Sequence, residues 1–227
     1  IGHALGLQDN MIASASFPVD SLRSPSFTRI YGVSATIMDY ARQNYIEQPG
    51  DGLQPKDFIR RVGPFDDFAI NWGYRVIAAP TAEAERATLH RWLTQQTGPF
   101  PYRFASQQLA AGDPRYQTED LGDDPIKAST FSTMNYKRVL PNLVAWTSTP
   151  GEDYTELREL YEETVSRWFG NMNHVATMLG GVEVDLKTSE QTGAVYRLVP
   201  KARQQAALAF LASNVITTPA WLSPAGI

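Results

Sequence analysis

Residues 1–10, IGHALGLQDN, place a histidine, a glycine and an aspartate three residues apart, at positions 3, 6 and 9. Apolar Ile1 and Leu5, followed by Gly6, indicate the last turns of a helix over residues 1–8, because glycine commonly ends helices. Glycine also lets the chain leave a helix sharply, through a left-handed conformation. The stretch is therefore either an ordinary helix end or one part of a metal site.

Composition limits the classes of function. The chain has 227 residues, enough for one large domain or two small ones, and 43% of them are hydrophobic. A formal net charge of −4 argues against a nucleic-acid or anionic-membrane partner. No apolar run approaches the ~20 residues that cross a membrane. With no cysteine, thiol chemistry and disulfides are excluded, so any metal must be held by His, Asp, Glu, Tyr or main-chain oxygen.

The hydrophobic pattern predicts a mainly α fold with minor β (α+β). Residues 9–52 lack periodicity and are expected to form a long ordered loop with short turns, and residues 64–79 form either a helix or a strand. Further along, the pattern predicts a helix capped by Thr81, a helix over 126–143 broken near Pro141, a helix begun by a Thr149–Glu152 capping box, a β-hairpin over 182–199 and a helix over 201–214. The predicted division is 1–75, which carries the site, and 76–227, packed with it as one unit.

Four stretches carry a resemblance to a known family: GHALGLQDNM (2–11), PVDSLRSPSFTRIYG (18–32), TIMDYARQNY (36–45) and GPFDDFAINWGYR (63–75). They resemble the met-zincin domains of large zinc-dependent metalloproteases from the envelopes of Gram-negative bacteria such as Bacteroidota. TIMDY has the form of a Met-turn, in which a methionine thioether lies beneath the metal-binding imidazoles. The resemblance is strong over residues 1–75 and looser through residue 227.

The resemblance implies a zinc site. The metzincin signature is H-E-x-x-H-x-x-G-x-x-H, in which two histidines on one helical face and a third residue bind zinc and the glutamate acts as general base. His3 matches the second histidine, and Asp9 stands where the third is expected. Aspartate is a competent zinc ligand. The first histidine and the glutamate would precede Ile1, so this chain is expected to be the C-terminal part of a catalytic domain and to hydrolyse nothing alone.

Further roles follow from the same resemblance. Met38 would support the metal site, and Tyr40 would polarise the substrate or stabilise the oxyanion. The implied partners are a peptide or protein substrate and an upstream domain of the same polypeptide. The implied location is the cell envelope, either periplasmic or secreted.

Simpler interpretations remain open for each residue. His3 and Asp9 can be helix-end groups bonded to the main chain, Met38 can be core filler and Tyr40 can be a packed tyrosine. His90 and His174 are expected in surface or core roles. The acidic residues at 113, 119, 120, 123 and 124 suggest either calcium binding or, in preference, a solvated loop. The rival class of function is a non-catalytic helical interaction module, a glycan-binding module or a degenerate peptidase.

Overall fold

The computed structural model describes residues 1–96, 101–106 and 112–223. The α-helices of these residues are α1 (Pro25–Tyr31), α2 (Pro64–Tyr74), α3 (Ala82–Gln96), α4 (Pro125–Val139), α5 (Leu143–Thr147), α6 (Thr155–Ala176) and α7 (Lys201–Leu211). Strands β1 (Val182–Val184) and β2 (Tyr196–Leu198) form a two-stranded antiparallel sheet. The predicted mainly α fold with minor β is confirmed. No helix of the described ranges is both long and apolar enough to span a membrane.

The long segment 9–52 wraps around a core of its own side chains. Phe17, Leu22, Val33 and Ile46 are buried there, and Leu121 and Ala128 from later in the chain also belong to the cluster. The prediction of an ordered loop with short turns is correct for most of the segment, which contains the 3-10 turns Ser14–Ser16 and Ser21–Arg23. It missed α1, whose signal is the proline at its first position.

Helices α2 and α3 follow local capping signals. Pro64 occupies the first position of α2, and Asp66 three residues after Gly63 accepts a hydrogen bond from the Gly63 amide at 2.8 Å. The stretch that could have been a helix or a strand is therefore helical. At α3 the predicted cap is confirmed, since the Ala84 amide donates to the Thr81 hydroxyl at 3.2 Å.

Helices α4 and α6 pack against each other through a buried polar contact. The Ser129 hydroxyl donates to the Asn171 carbonyl at 3.1 Å, and the Asn171 amide donates to the Ser132 hydroxyl at 2.6 Å. The predicted break near Pro141 is confirmed: α4 ends at Val139, and one 3-10 turn, Leu140–Asn142, leads into α5.

The predicted start of α6 is wrong. The helix begins at Thr155, and Asp153 accepts the Thr155 amide at 2.9 Å. Thr149 instead accepts the Glu152 amide through its main-chain carbonyl, in a turn. The physical reason is Gly151, whose φ of 94° is left-handed and cannot continue a right-handed helix.

The predicted β-hairpin is confirmed with shorter strands. Val182 lies opposite Leu198, and Val184 lies opposite Tyr196. The hairpin is fixed to the segment before α4, because the Val182 amide donates to the Gly112 carbonyl at 2.9 Å and the Val184 amide donates to Asp113 at 2.6 Å. The last predicted helix is α7, which continues as a π-turn over Ala212–Ile216.

Candidate metal centre

The structure brings His3 and Asp9 together. Residues His3–Leu5 form a single 3-10 turn, shorter than the predicted helix end, and Gly6 closes it with a left-handed φ of 79°. The chain then reverses, so that His3 Nε2 lies 3.2 Å from Asp9 Oδ1. The two side chains are 65% and 30% exposed, respectively, so the pair is open to solvent.

The orientation of the His3 ring suits metal binding. His3 Nδ1 lies 3.0 Å from the Leu7 carbonyl oxygen, which only accepts hydrogen bonds, so Nδ1 carries the proton. In the neutral ring the lone pair of Nε2 then faces the lone pairs of Asp9 Oδ1, which is repulsive. A cation bound between the two atoms, or a proton on Nε2, removes this repulsion. Two ligands of a tetrahedral zinc at ~2.0–2.2 Å lie ~3.3 Å apart, close to the separation of this pair.

The pair is an incomplete catalytic set. Among the residues that the structure describes, no cluster of three or more His, Cys, Asp or Glu side chains could hold a metal ion. A catalytic zinc takes three protein ligands and leaves one position open. The nitrogen and oxygen donors of His3 and Asp9 fit zinc chemically, and they account for two of those three ligands.

Met38 packs against the backbone at Gly2, next to His3. It is buried, and a Cβ atom added to Gly2 would lie 2.1 Å from the Met38 sulfur, so the thioether rests on the backbone next to His3. The Asn10 amide donates to the Met38 carbonyl at 3.0 Å, which joins the Met38 segment to the residue after Asp9. The support of a metal by Met38 stays a prediction.

Asp66, which the sequence interpretation missed, holds the Met38 segment in place. Its carboxylate accepts hydrogen bonds from the Thr36 hydroxyl and from the Ile37 amide, the latter at 3.0 Å. Thr36 in turn accepts the Met38 amide at 3.0 Å. The signal was present: an acid three residues after Gly63, with a proline between them, is a helix-start pattern that leaves one carboxylate oxygen for a neighbour.

Tyr40, two residues after Met38, has an exposed side chain. Tyr40 is 51% exposed, and among the described residues its phenol makes no hydrogen bond to His3 or Asp9. Its main-chain carbonyl accepts the Glu119 amide at 3.1 Å. The catalytic role of Tyr40 stays a prediction.

A buried acid pair lies behind the Met38 segment. Asp39 accepts the Ser14 amide at 2.5 Å, and Asp120 accepts the Ser14 hydroxyl at 2.8 Å. Burial raises the pKa of Asp39 to about 7, against the lowering effect of the Ser14 bonds. Burial and the neighbouring Asp39 also hold the pKa of Asp120 well above its ordinary range. At neutral pH this pair therefore retains a proton that two exposed carboxyls would lose.

The other acidic side chains of 113–124 bond protein donors. Asp113 lies 2.8 Å from Arg115, and Glu119 contacts Arg42 and Arg167. Asp123 accepts the Val19 amide at 3.1 Å, and Asp124 caps α4. The preferred interpretation as a solvated loop is wrong for Asp113 and Asp120, both of which are buried. These carboxylates tie the segment to its neighbours.

The other histidines occupy the expected core and surface positions. His174 is buried on α6, its Nε2 lies 3.0 Å from the Thr118 carbonyl oxygen, and burial lowers its pKa. His90 Nε2 on α3 lies 2.7 Å from Glu190 Oε1 at the surface.

Comparison with protein families finds a match over the whole sequence. A family model described as Met-zincin matches residues 1–227. No curated protein and no solved structure matches the chain. The match covers the His3 and Asp9 stretch, the Met38 segment and the helical remainder, including the part over which the resemblance in sequence is looser.

Proposed function

The chain belongs to the Met-zincin family, whose fold is of the metallopeptidase type, and from that premise we propose that it carries part of a zinc peptidase site. His3 and Asp9 are the two metal ligands. The observation that carries this proposal is the 3.2 Å separation of His3 Nε2 and Asp9 Oδ1, together with a His3 ring whose Nδ1 proton is held by Leu7. A hydrogen bond to the outer ring nitrogen is the usual way in which a ligating histidine is oriented.

Each residue has a proposed task in peptide hydrolysis. Zinc, when bound, supplies a Lewis acid and lowers the pKa of water. His3 directs its Nε2 lone pair, and Asp9 adds a carboxylate that offsets part of the positive charge. Met38 fixes the backbone under His3. Tyr40 donates a hydrogen bond to the oxygen that gains negative charge as water adds to the peptide carbonyl.

Two ligands do not make a catalytic zinc site. We propose that the third ligand and the general base are the His and Glu of the H-E-x-x-H signature, upstream of Ile1 in the same polypeptide. Residues 1–227 alone would then bind zinc weakly and cleave no peptide. The proposed location is the periplasm or the exterior of the cell.

Zinc titration of single-residue variants tests the ligand assignment. We expect His3→Ala and Asp9→Ala each to weaken zinc binding by more than the ~10–100-fold typical of losing an outer partner of a ligand. The affinity is measured by competition with a chromophoric chelator, on residues 1–227 and on the full-length polypeptide. His90→Ala is the matched control, because His90 also forms a pair with a carboxylate, that of Glu190.

If His3→Ala and His90→Ala lower the zinc affinity equally, the ligand assignment is wrong. If His3→Ala weakens zinc binding and Asp9→Ala leaves the zinc affinity unchanged, Asp9 is not a ligand. A degenerate peptidase then becomes the better interpretation. Chelator-sensitive cleavage by residues 1–227 alone would contradict the proposal that the chain lacks the base.

A further inference from the structure

A cavity of about 520 Å³ opens beside the loop that connects His3 and Asp9. One wall is an apolar face of α2, where Phe65, Phe68 and Trp72 recur at helical spacing. Aromatic contacts hold this wall in place: Phe65 stacks on Phe104 with 6.0 Å between ring centroids and 13° between ring planes. The volume falls within the ~300–1,000 Å³ typical of ligand sites.

The cavity is continuous with the loop between His3 and Asp9. Gly6 and Leu7 of that loop form part of its lining. The Leu7 carbonyl accepts from the His3 ring, and the Leu5 carbonyl accepts from the Tyr74 hydroxyl at 3.0 Å. A molecule in the cavity therefore contacts the same short loop that positions both proposed ligands.

The opposite wall is the turn of the β-hairpin. Leu186, Thr188 and Gln191 line the cavity from that side. This wall is joined to α3 by the pair of His90 and Glu190, and α3 is joined to α2 because the Trp72 indole donates to the Leu89 carbonyl at 3.1 Å. The cavity is thus formed by residues distant in sequence, and most of its lining is apolar. Two of its charged side chains are already paired: Asp185 lies 3.0 Å from Arg115, and Lys187 donates to the Thr192 carbonyl at 2.8 Å.

We propose that this cavity binds a run of about two or three large apolar residues of the peptide substrate, beside the bond to be cleaved. This inference rests on the proposed peptidase function. The aromatic wall of Phe65, Phe68 and Trp72 favours apolar side chains, because burying an unpaired charge against it is costly. Gln191 Oε1 already accepts the Thr188 amide at 2.8 Å, which leaves the Gln191 NH2 group to donate to a carbonyl of a peptide main chain.

Gly73 offers a way to fill the cavity without disturbing the fold. It lines the cavity on α2, and a Cβ atom added there meets nothing within 4 Å. Gly73→Leu therefore places a large side chain in the cavity and also improves helix propensity. Gly170→Leu on α6 is the matched control, because a Cβ atom at Gly170 also meets nothing within 4 Å and Gly170 is not part of the cavity lining.

Calorimetry on residues 1–227 tests the proposal with three probes: acetyl-Leu-Phe-Leu-amide, acetyl-Ser-Gly-Ser-amide and decanamide. We expect saturable binding of the Leu-Phe-Leu peptide, weakened about tenfold or more by Gly73→Leu and less than about twofold by Gly170→Leu. Thermal melts confirm that both variants fold. Tryptophan fluorescence is followed in parallel, and a Trp72→Phe variant identifies the part of the fluorescence change that comes from the cavity.

No binding of the apolar peptide, equal binding of the polar peptide, or equal weakening by both glycine variants overturns the proposal. Decanamide binding as tightly as the peptide would assign the cavity to aliphatic chains instead. Zinc affinity is measured on the same samples, and Gly73→Leu is expected to leave it unchanged. Loss of peptide binding with normal zinc affinity contradicts this inference alone, whereas the His3 and Asp9 variants test the proposed function.

Discussion

Gly2 allows Met38 to lie against the backbone next to His3. A methyl group at position 2 would stand 2.1 Å from the Met38 sulfur, so Gly2→Ala must displace either Met38 or the start of the His3 turn. Overpacking of this kind costs about 1–3 kcal/mol. We predict a loss of unfolding free energy in that range, measured by urea denaturation, and a shifted His3 ring resonance in NMR spectra.

A second substitution separates this contact from a general effect of alanine. In the Gly2→Ala/Met38→Ala double variant the methyl group has space, so the two substitutions should be less destabilising together than the sum of the singles. Simple additivity would mean that the Gly2 and Met38 contact does not determine the cost. Gly170→Ala, with open space around its Cβ atom, should be neutral or stabilising.

The buried carboxyl of Asp39 predicts a pH dependence of stability. Its pKa is about 7 in the folded protein against an ordinary value of 3.8, so the folded state keeps a proton that the unfolded chain has lost between these pH values. Stability from this group is complete below about pH 4 and is lost as the pH rises toward 7. The groups that act on it are Asp120, Ser14 and Arg60.

Asp39→Asn removes this titration while keeping an oxygen that can accept the Ser14 amide. We predict little effect near pH 4 and a stabilisation of up to ~2–4 kcal/mol near pH 8, measured by thermal melts across that range. Glu159→Gln, at an exposed position of α6, is the control and should show no such trend. A difference between Asp39→Asn and the native chain that does not change with pH would show that the pKa of Asp39 is the same in the folded and unfolded states.

At the scale of single residues, the sequence predicts contacts between residues that lie a few positions apart. The His3, Gly6 and Asp9 spacing requires only one turn and one left-handed glycine, and the structure places the two side chains in contact. Asp66 was missed because its partners Thr36 and Ile37 are about thirty residues away.

At the scale of elements, the start of α2 joins the Met38 segment to the rest of the fold. Gly63 lies against the Ala35 main chain, and an added Cβ atom would stand 2.2 Å from the Ala35 oxygen. The backbone of Ala35 cannot move aside as easily as the end of a flexible side chain. Gly63→Ala should therefore separate α2 from residues 35–38 and break the hydrogen bonds that Asp66 accepts there.

We predict that Gly63→Ala lowers the unfolding free energy by about 2–4 kcal/mol, the sum of a clash and of buried groups left unpaired. Hydrogen exchange should show the Ile37 amide losing its protection first. Gly73→Ala, on the same helix but with a free Cβ position, should be neutral or stabilising by about 0.5–1 kcal/mol. Equal effects of the two substitutions would exclude close packing at Gly63 as the cause.

The elements predicted correctly are those with a complete local signal. The Thr81 cap, the break at Pro141 and the alternation around the hairpin turn each lie within a few residues of the structure that they produce. The Thr149–Glu152 capping box had the right residue types, but Gly151 between them takes a left-handed conformation and delays α6 to Thr155. A side-chain pattern alone does not reveal that backbone choice.

At the scale of the whole molecule, the segment 112–124 joins parts of the fold that no sequence pattern connects. It fixes the hairpin through Asp113 and contributes Leu121 to the core of the first fifty residues. Its acidic composition suggested a solvated loop, because composition does not show where cationic partners lie. Arg115 lies within the segment, two residues from Asp113, but the partners of Glu119, Arg42 and Arg167, lie far from it in sequence.

Glu119 is the residue of this segment that joins the proposed site to α6. Its φ of 65° is left-handed, its amide donates to the Tyr40 carbonyl at 3.1 Å, and its carboxylate contacts Arg42 and Arg167. A non-glycine residue in this conformation is strained by about 1–2 kcal/mol, so other contacts must hold it there. The two arginines supply them, one following Tyr40 and the other on α6.

We predict that Glu119→Gln, which keeps the shape of the side chain and removes its charge, lowers the unfolding free energy by about 0.5–1.5 kcal/mol. The value is modest because Glu119 is 41% exposed and the pairs are screened by water. In a double-mutant cycle Glu119→Gln and Arg167→Met should couple by about 0.5 kcal/mol or more, and less in high salt. Arg158→Met, at an exposed position of α6, is the control and should not couple. Equal coupling to Arg158 and Arg167 would mean that Glu119 interacts only with the overall charge of α6. The Tyr40 segment and α6 would then be connected by main-chain contacts and not by the Glu119 carboxylate.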